Sequence, residues 1–123
     1  MTRPAWPEYF IAIAERVSTR ATCDRALVGA VIVSKEHRIL STGYNGSVPG
    51  EAHCDDVGHD MVDGHCQRTL HAEVNAVAHA ARHGVALDGA RVYIWSSRGD
   101  TRPCRECMKV ILAAGIEVVE NGK

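Results

Sequence analysis

The chain has 123 residues, 46% of them hydrophobic and 24% charged, with a formal net charge of -1. That length allows one hydrophobic core and predicts a single domain over residues 1–123. The near-zero charge gives no basic field for duplex nucleic acid or a membrane surface, and no apolar run approaches the length of a membrane helix.

Met1-Thr2-Arg3-Pro4 lacks the apolar core of a signal peptide. Five cysteines, an odd number, fit metal-bound thiolates in a reducing compartment better than a disulfide framework, so a cytoplasmic location is expected. Pro4 and Pro7 bracket a helix entry. Phe10, Ile13, Ala14 and Val17 then repeat at i, i+3, i+4 and i+7, which predicts an amphipathic helix over 7–19. Leu27 to Val33 is a continuous apolar run rich in β-branched residues, as in a strand buried on both faces. Gly29 in its middle predicts a close approach to the backbone. Arg38 to Gly43 returns as a second strand, closing an antiparallel hairpin. From Tyr44 to Thr69 periodicity disappears among glycines, aspartates, histidines and cysteines, and a stretch of that length usually has a function. Asn45, just past a strand end, is placed to hydrogen-bond a ligand.

A second helix is predicted over 70–83, with Val74, Val77, Ala78 and Ala81 as its apolar stripe and Gly84 closing it. His79 and His83 read as solvent-facing or packing residues. Arg91 to Trp95 is a third strand. After a loop from Ser96 to Arg102, Pro103 leads into a third helix with Met108, Ile111 and Leu112 as its stripe and Gly115 at its end. Ile116 to Val119 is the last strand. Strand, helix, strand of these lengths implies a parallel right-handed crossover. The expected fold is α/β: a three-layer α/β/α sandwich, with a mixed sheet and helices on both faces.

The chemistry is concentrated in His71-Ala72-Glu73 and Pro103-Cys104-Arg105-Glu106-Cys107. Together they supply one imidazole, two thiols at metal-ligand spacing and a carboxylate beside the imidazole. A catalytic zinc takes three protein ligands and leaves its fourth position to water. His71, Cys104 and Cys107 form such a set, and Glu73 is then free to carry protons. This is the signature of the zinc-dependent base deaminases. Ala72 is small, so a flat ring could lie against its backbone. A closed structural zinc module is the alternative, but no second Cys-x-x-Cys pair is present and Glu73 would have no role in it.

The chain resembles the deoxycytidylate (dCMP) deaminases of the cytidine deaminase superfamily over nearly its whole length. Beyond the zinc signature, the resemblance is carried by Thr22-Cys23-Asp24-Arg25, Val28-Gly29-Ala30-Val31-Ile32-Val33, Gly43-Tyr44-Asn45-Gly46 and Cys66-Gln67-Arg68-Thr69-Leu70. It implies a cytidine-deaminase-like fold and conversion of dCMP to dUMP with release of ammonia. Zinc would sit on His71, Cys104 and Cys107, Glu73 would shuttle protons, and Asn45 would contact the sugar. It implies a homo-oligomer, a hexamer or smaller, with dCTP and dTTP as effectors acting near Gly43 to Gly46. Arg25 and Arg68 are candidates for the phosphate. Cys23, Cys54 and Cys66 with His65 would form a second, structural zinc site. The loop from Ser96 to Arg102 is about five residues longer than is usual in the resembling family, which leaves two alternatives. One is a deaminase of another nucleobase, nucleoside or nucleotide on the same fold. The other, a catalytically weak nucleotide-binding relative, is disfavoured by the presence of Glu73.

Overall fold

The computed structural model describes residues 2–22, 26–47, 61–62, 65–66 and 69–119, with the backbone alone described for those between 61 and 69. Its elements in chain order are α1 (Trp6–Ser18), β1 (Val28–Val33), β2 (Ile39–Tyr44), β3 (Gly46–Ser47), β4 (Met61–Val62) and β5 (His65–Cys66). There follow β6 (Thr69–Leu70), α2 (Ala72–Arg82), β7 (Arg91–Ser96), α3 (Arg105–Ala113) and β8 (Glu117–Val119). Four strands form the main sheet in the order β2-β1-β7-β8. β1 runs antiparallel to both β2 and β7, with Val31 opposite Thr42 on one side and Tyr93 on the other. β7 and β8 are parallel, joined through α3. The expected mixed sheet with helices on both faces is therefore present.

Each strand alternates its side chains between two cores. Phe10 and Ala14 of α1 pack with Val31, Val33, Tyr93 and Val119 on one face. On the other, α2 and α3 contribute Ala76, Ala80 and Ile111 against Ala30, Ile32 and Ile94. Each large side chain buried in this way stabilises by roughly 1.5–3 kcal/mol relative to its exposed state. β1, buried on both faces from Gly29 to Val33, is the central strand that the apolar run implied.

Two glycines let the helices sit close. A Cβ on Gly29 would lie 2.8 Å from Ser18 N and closer still to the Ala14 carbonyl oxygen, so α1 lies directly on β1. A Cβ on Gly43 would lie 2.5 Å from Ala76 N and closer still to the Ala72 carbonyl oxygen, so α2 lies on β2 in the same manner. This contact corrects the stripe expected for α2. The buried residues are Ala72, Glu73, Ala76 and Ala80, whereas Ala78 and Ala81 are exposed. At so short a separation only alanine fits between helix and sheet, and the bulkier valines rotate toward the margin. On α3 the buried residues are Cys107 and Ile111; Leu112, expected in the stripe, is 64% exposed because the helix turns its Cys107 face inward. Gly84 and Gly115 follow the two helix ends with φ of 69° and 78°, as expected of C-cap positions. The aperiodic stretch has short strands at its described margins. β3 pairs antiparallel with β6, and β4 with β5.

Candidate active site

Helices α2 and α3 point their N-termini at one place. His71 is the N-cap of α2 and Cys104 the N-cap of α3, both in extended backbone, and neither spends its side chain on capping. Glu73 and Cys107 follow inside the first turns. Partial positive charge at both helix ends favours a thiolate and a carboxylate there. Three contacts fix where α2 begins: the close packing on Gly43, a 2.7 Å hydrogen bond from Ser41 Oγ to the Ala76 carbonyl, and one of 2.7 Å from Asn75 Nδ2 to the Tyr44 carbonyl. The 97–104 connection carries the chain from β7 into α3.

The side chains meet as a ligand set. His71 Nδ1 lies 3.1 Å from Cys107 Sγ and 3.4 Å from Cys104 Sγ, and the three ligand atoms all lie within 4.8 Å of one another. Tetrahedral zinc would separate nitrogen from sulfur by roughly 3.6 Å, so small adjustments suffice. Among the described residues the group comprises these three, as a catalytic site with an open fourth position requires. Cys107 is 2% exposed. Burial, then the neighbouring Glu73 carboxylate and Cys104, push its pKa upward. A dication offsets that penalty by holding the thiolate, so the donors fit zinc chemically as well as spatially.

Glu73 is 5% exposed. Burial raises its pKa, partly countered by a backbone hydrogen bond and by the charge of His71. A carboxyl held in this way both accepts and returns a proton readily. A cavity of about 280 Å³ opens onto the site, lined by His71, Cys104, Arg105 and Glu106. Arg105 was not singled out by the sequence reading; its position between the two cysteines of the motif was the available signal. Glu106 pairs with Lys109 at 3.1 Å, which leaves Arg105 as the positive charge of the lining.

The remaining expected residues are placed as follows. Ala72 has no accessible surface and packs in the core cluster behind the site. Asn45 directs its carboxamide at the backbone of the segment leading into β1, accepting from Val28 N at 2.9 Å and donating to the Ala26 carbonyl at 2.7 Å. Arg25, Arg68, Cys23 and Cys54 lie outside the described residues. His65 and Cys66 are described only as the backbone of β5, so the second zinc site lies outside what the structure describes. His79 and His83 are exposed and pack on each other with ring centroids 4.5 Å apart.

The comparisons agree with this geometry. The family described as "Cytidine and deoxycytidylate deaminase zinc-binding region" matches residues 4–122. ComE operon protein 2 of Bacillus subtilis (strain 168) is 44% identical over 119 residues, covering 97% of this chain. The chain spans only 60% of that relative's length. The deoxycytidylate deaminase of Mycobacterium phage D29 is 37% identical over 130 residues, covering 97% of this chain and 95% of the relative. Among solved structures, the dCMP deaminase of cyanophage S-TIM5 in complex with dCMP and dUMP superposes with a TM-score of 0.74. It is 27% identical and covers 99% of this chain and 88% of its own.

Proposed function

The chain belongs to the cytidine and deoxycytidylate deaminase zinc-binding family, and from that premise we propose that it hydrolyses dCMP to dUMP and ammonia. The observation that carries the proposal is the union of three metal donors with a buried carboxyl two residues from one of them. His71, Cys104 and Cys107 would hold a zinc ion, which when bound would supply a Lewis acid that brings the pKa of water toward neutrality. Glu73 would take the proton from the attacking water as the water oxygen bonds to C4 of the cytosine. The same carboxyl delivers the proton to N3. It then carries a second proton from the new C4 hydroxyl to the amino group, the C4–N bond breaks, and ammonia leaves. One residue serves all the transfers because they are sequential.

Deoxycytidylate deaminase is the name of the phage D29 relative, and the cyanophage structure holds dCMP and dUMP. Arg105, which lines the cavity, suits a 5′-phosphate, which favours a nucleotide over a free nucleoside. The protein is further read as a cytoplasmic homo-oligomer responsive to dCTP and dTTP. A second cavity of about 470 Å³, lined by Tyr44, Asn75, His79 and Arg82 among others, supports an effector reading. Among the described residues no helix is long and apolar enough to cross a membrane. Ammonia release measured across cytosine, adenine and guanine nucleosides and nucleotides tests the substrate. dCMP is expected to be turned over fastest, and a preference for a purine or for a free nucleoside would overturn the proposal.

A further inference from the structure

The last turn of α2 carries two imidazoles that the deaminase chemistry does not use. His79 and His83 stand four positions apart, which places them on one face of the helix, a turn apart. The backbone is helical across this interval. His83 N–H donates to the His79 carbonyl at 3.2 Å, and Gly84 then ends the turn with φ of 69°. Both residues are exposed, and their ring centroids lie 4.5 Å apart with the planes inclined at 60°. Exposed as they are, the rings take no part in either core. His71 lies eight positions earlier, about 12 Å along the helix axis, so the pair is distinct from the active-site donors.

Two imidazoles bound side by side on one metal ion, each nitrogen about 2.1 Å from it, hold their centroids roughly 4.5–5.2 Å apart. The observed separation falls at the lower end of that span, which corresponds to the near-right angle of square-planar or octahedral coordination. The χ2 torsion of histidine is broad, so each ring turns to aim a nitrogen at a shared point with no movement of the backbone. The carbonyls of the last turn give this end of α2 partial negative charge, which favours a cation. Arg82 of the same turn opposes one, but it is exposed and its charge is screened by water and salt. We infer that His79 and His83 form a surface site for one divalent transition-metal ion of the imidazole-preferring class, Ni²⁺, Cu²⁺ or Zn²⁺. Ca²⁺ and Mg²⁺, which take oxygen ligands, are not held there. The ion clamps the turn that the His83–His79 hydrogen bond closes. His79 also lines the cavity of about 470 Å³, so an ion on the pair adds positive charge at its edge.

Ni²⁺ is the probe, titrated by calorimetry into the zinc-loaded chain so that thiolate donors are already occupied, with zinc content measured before and after. Removing either imidazole leaves a one-point attachment, so His79→Ala and His83→Ala should each weaken binding of one Ni²⁺ about a hundredfold. Weakening of less than about tenfold in either variant would overturn the inference, because the two donors would then not act together. Absence of Ni²⁺ binding by wild type would overturn it as well. Amide hydrogen exchange of wild type needs no substitution. The His83 and Val85 amides donate to the His79 and Ala80 carbonyls, and opening of this turn requires release of the clamping ion. With Ni²⁺ at about ten times its dissociation constant, both amides should exchange about tenfold more slowly. Unchanged exchange there, or equal slowing by Mg²⁺, would sink the site. Neither measurement involves dCMP, so its outcome is separate from that of the substrate proposal.

Discussion

Gly43→Ala should cost this protein more activity than its stability loss alone accounts for. The added methyl would lie 2.5 Å from Ala76 N, and closer to the Ala72 carbonyl oxygen, both in the backbone of α2. Neither neighbour is a flexible side chain that can turn away. Contacts of this kind need at least 3.0 Å, so the helix must retreat by about 0.5 Å or more. Overpacking of this sort costs about 1–3 kcal/mol. That corresponds to a fall in melting temperature of roughly 3–15 °C for a domain of this size. His71 and Glu73 move with the helix, and a displacement of about 1 Å costs on the order of a hundredfold in rate, so about tenfold is expected here. Gly29→Ala is the control. Its methyl meets Ala14 and Ser18 of α1, which contributes no metal donor. It should lower the melting temperature comparably while the folded fraction keeps near-normal kcat. Thermal melts followed by circular dichroism, paired with ammonia release below both transitions, make the comparison. Equal kcat in the two variants would refute the claim that the α2–β2 contact sets the site.

Glu73→Gln should retain zinc by elemental analysis and lose turnover by about a thousandfold, because the ligands remain and the proton carrier does not. Cys107→Ala should lose the metal of this site, so added zinc should raise the melting temperature of chelator-treated wild type by more than it raises that of the chelator-treated variant. Arg105→Ala should raise KM for dCMP by about tenfold, the worth of one charge-assisted hydrogen bond, and leave KM for deoxycytidine unchanged.

The site was largely legible in the sequence because its chemistry is local. His71 with Glu73, and Cys104 with Cys107, are short-range pairs, and glycines mark the ends of both helices that carry them. Strand β1 was legible for a similar reason, since burial on both faces leaves an unbroken apolar run. The inward face of α2 was not. Periodicity favours the larger apolar residues, whereas the contact with Gly43 selects alanines, and that glycine lies on a different element. Leu112 misled in the same way, because the turn of α3 is set by Cys107 facing the metal donors. The double engagement of Asn45 depends on the register of β1 against β2, which no spacing along the chain reveals. Arg105 was visible but indistinct, an arginine in a motif read for its cysteines.

Turnover of dCMP in water enriched in oxygen-18, followed by mass spectrometry, tests the central claim most directly. Hydrolysis at C4 by the zinc-loaded protein predicts one labelled oxygen in the uracil ring of each dUMP and one ammonia per turnover, both abolished by chelation. Recovery of unchanged dCMP from protein shown to carry zinc, or ammonia formed without label in the ring, would contradict it.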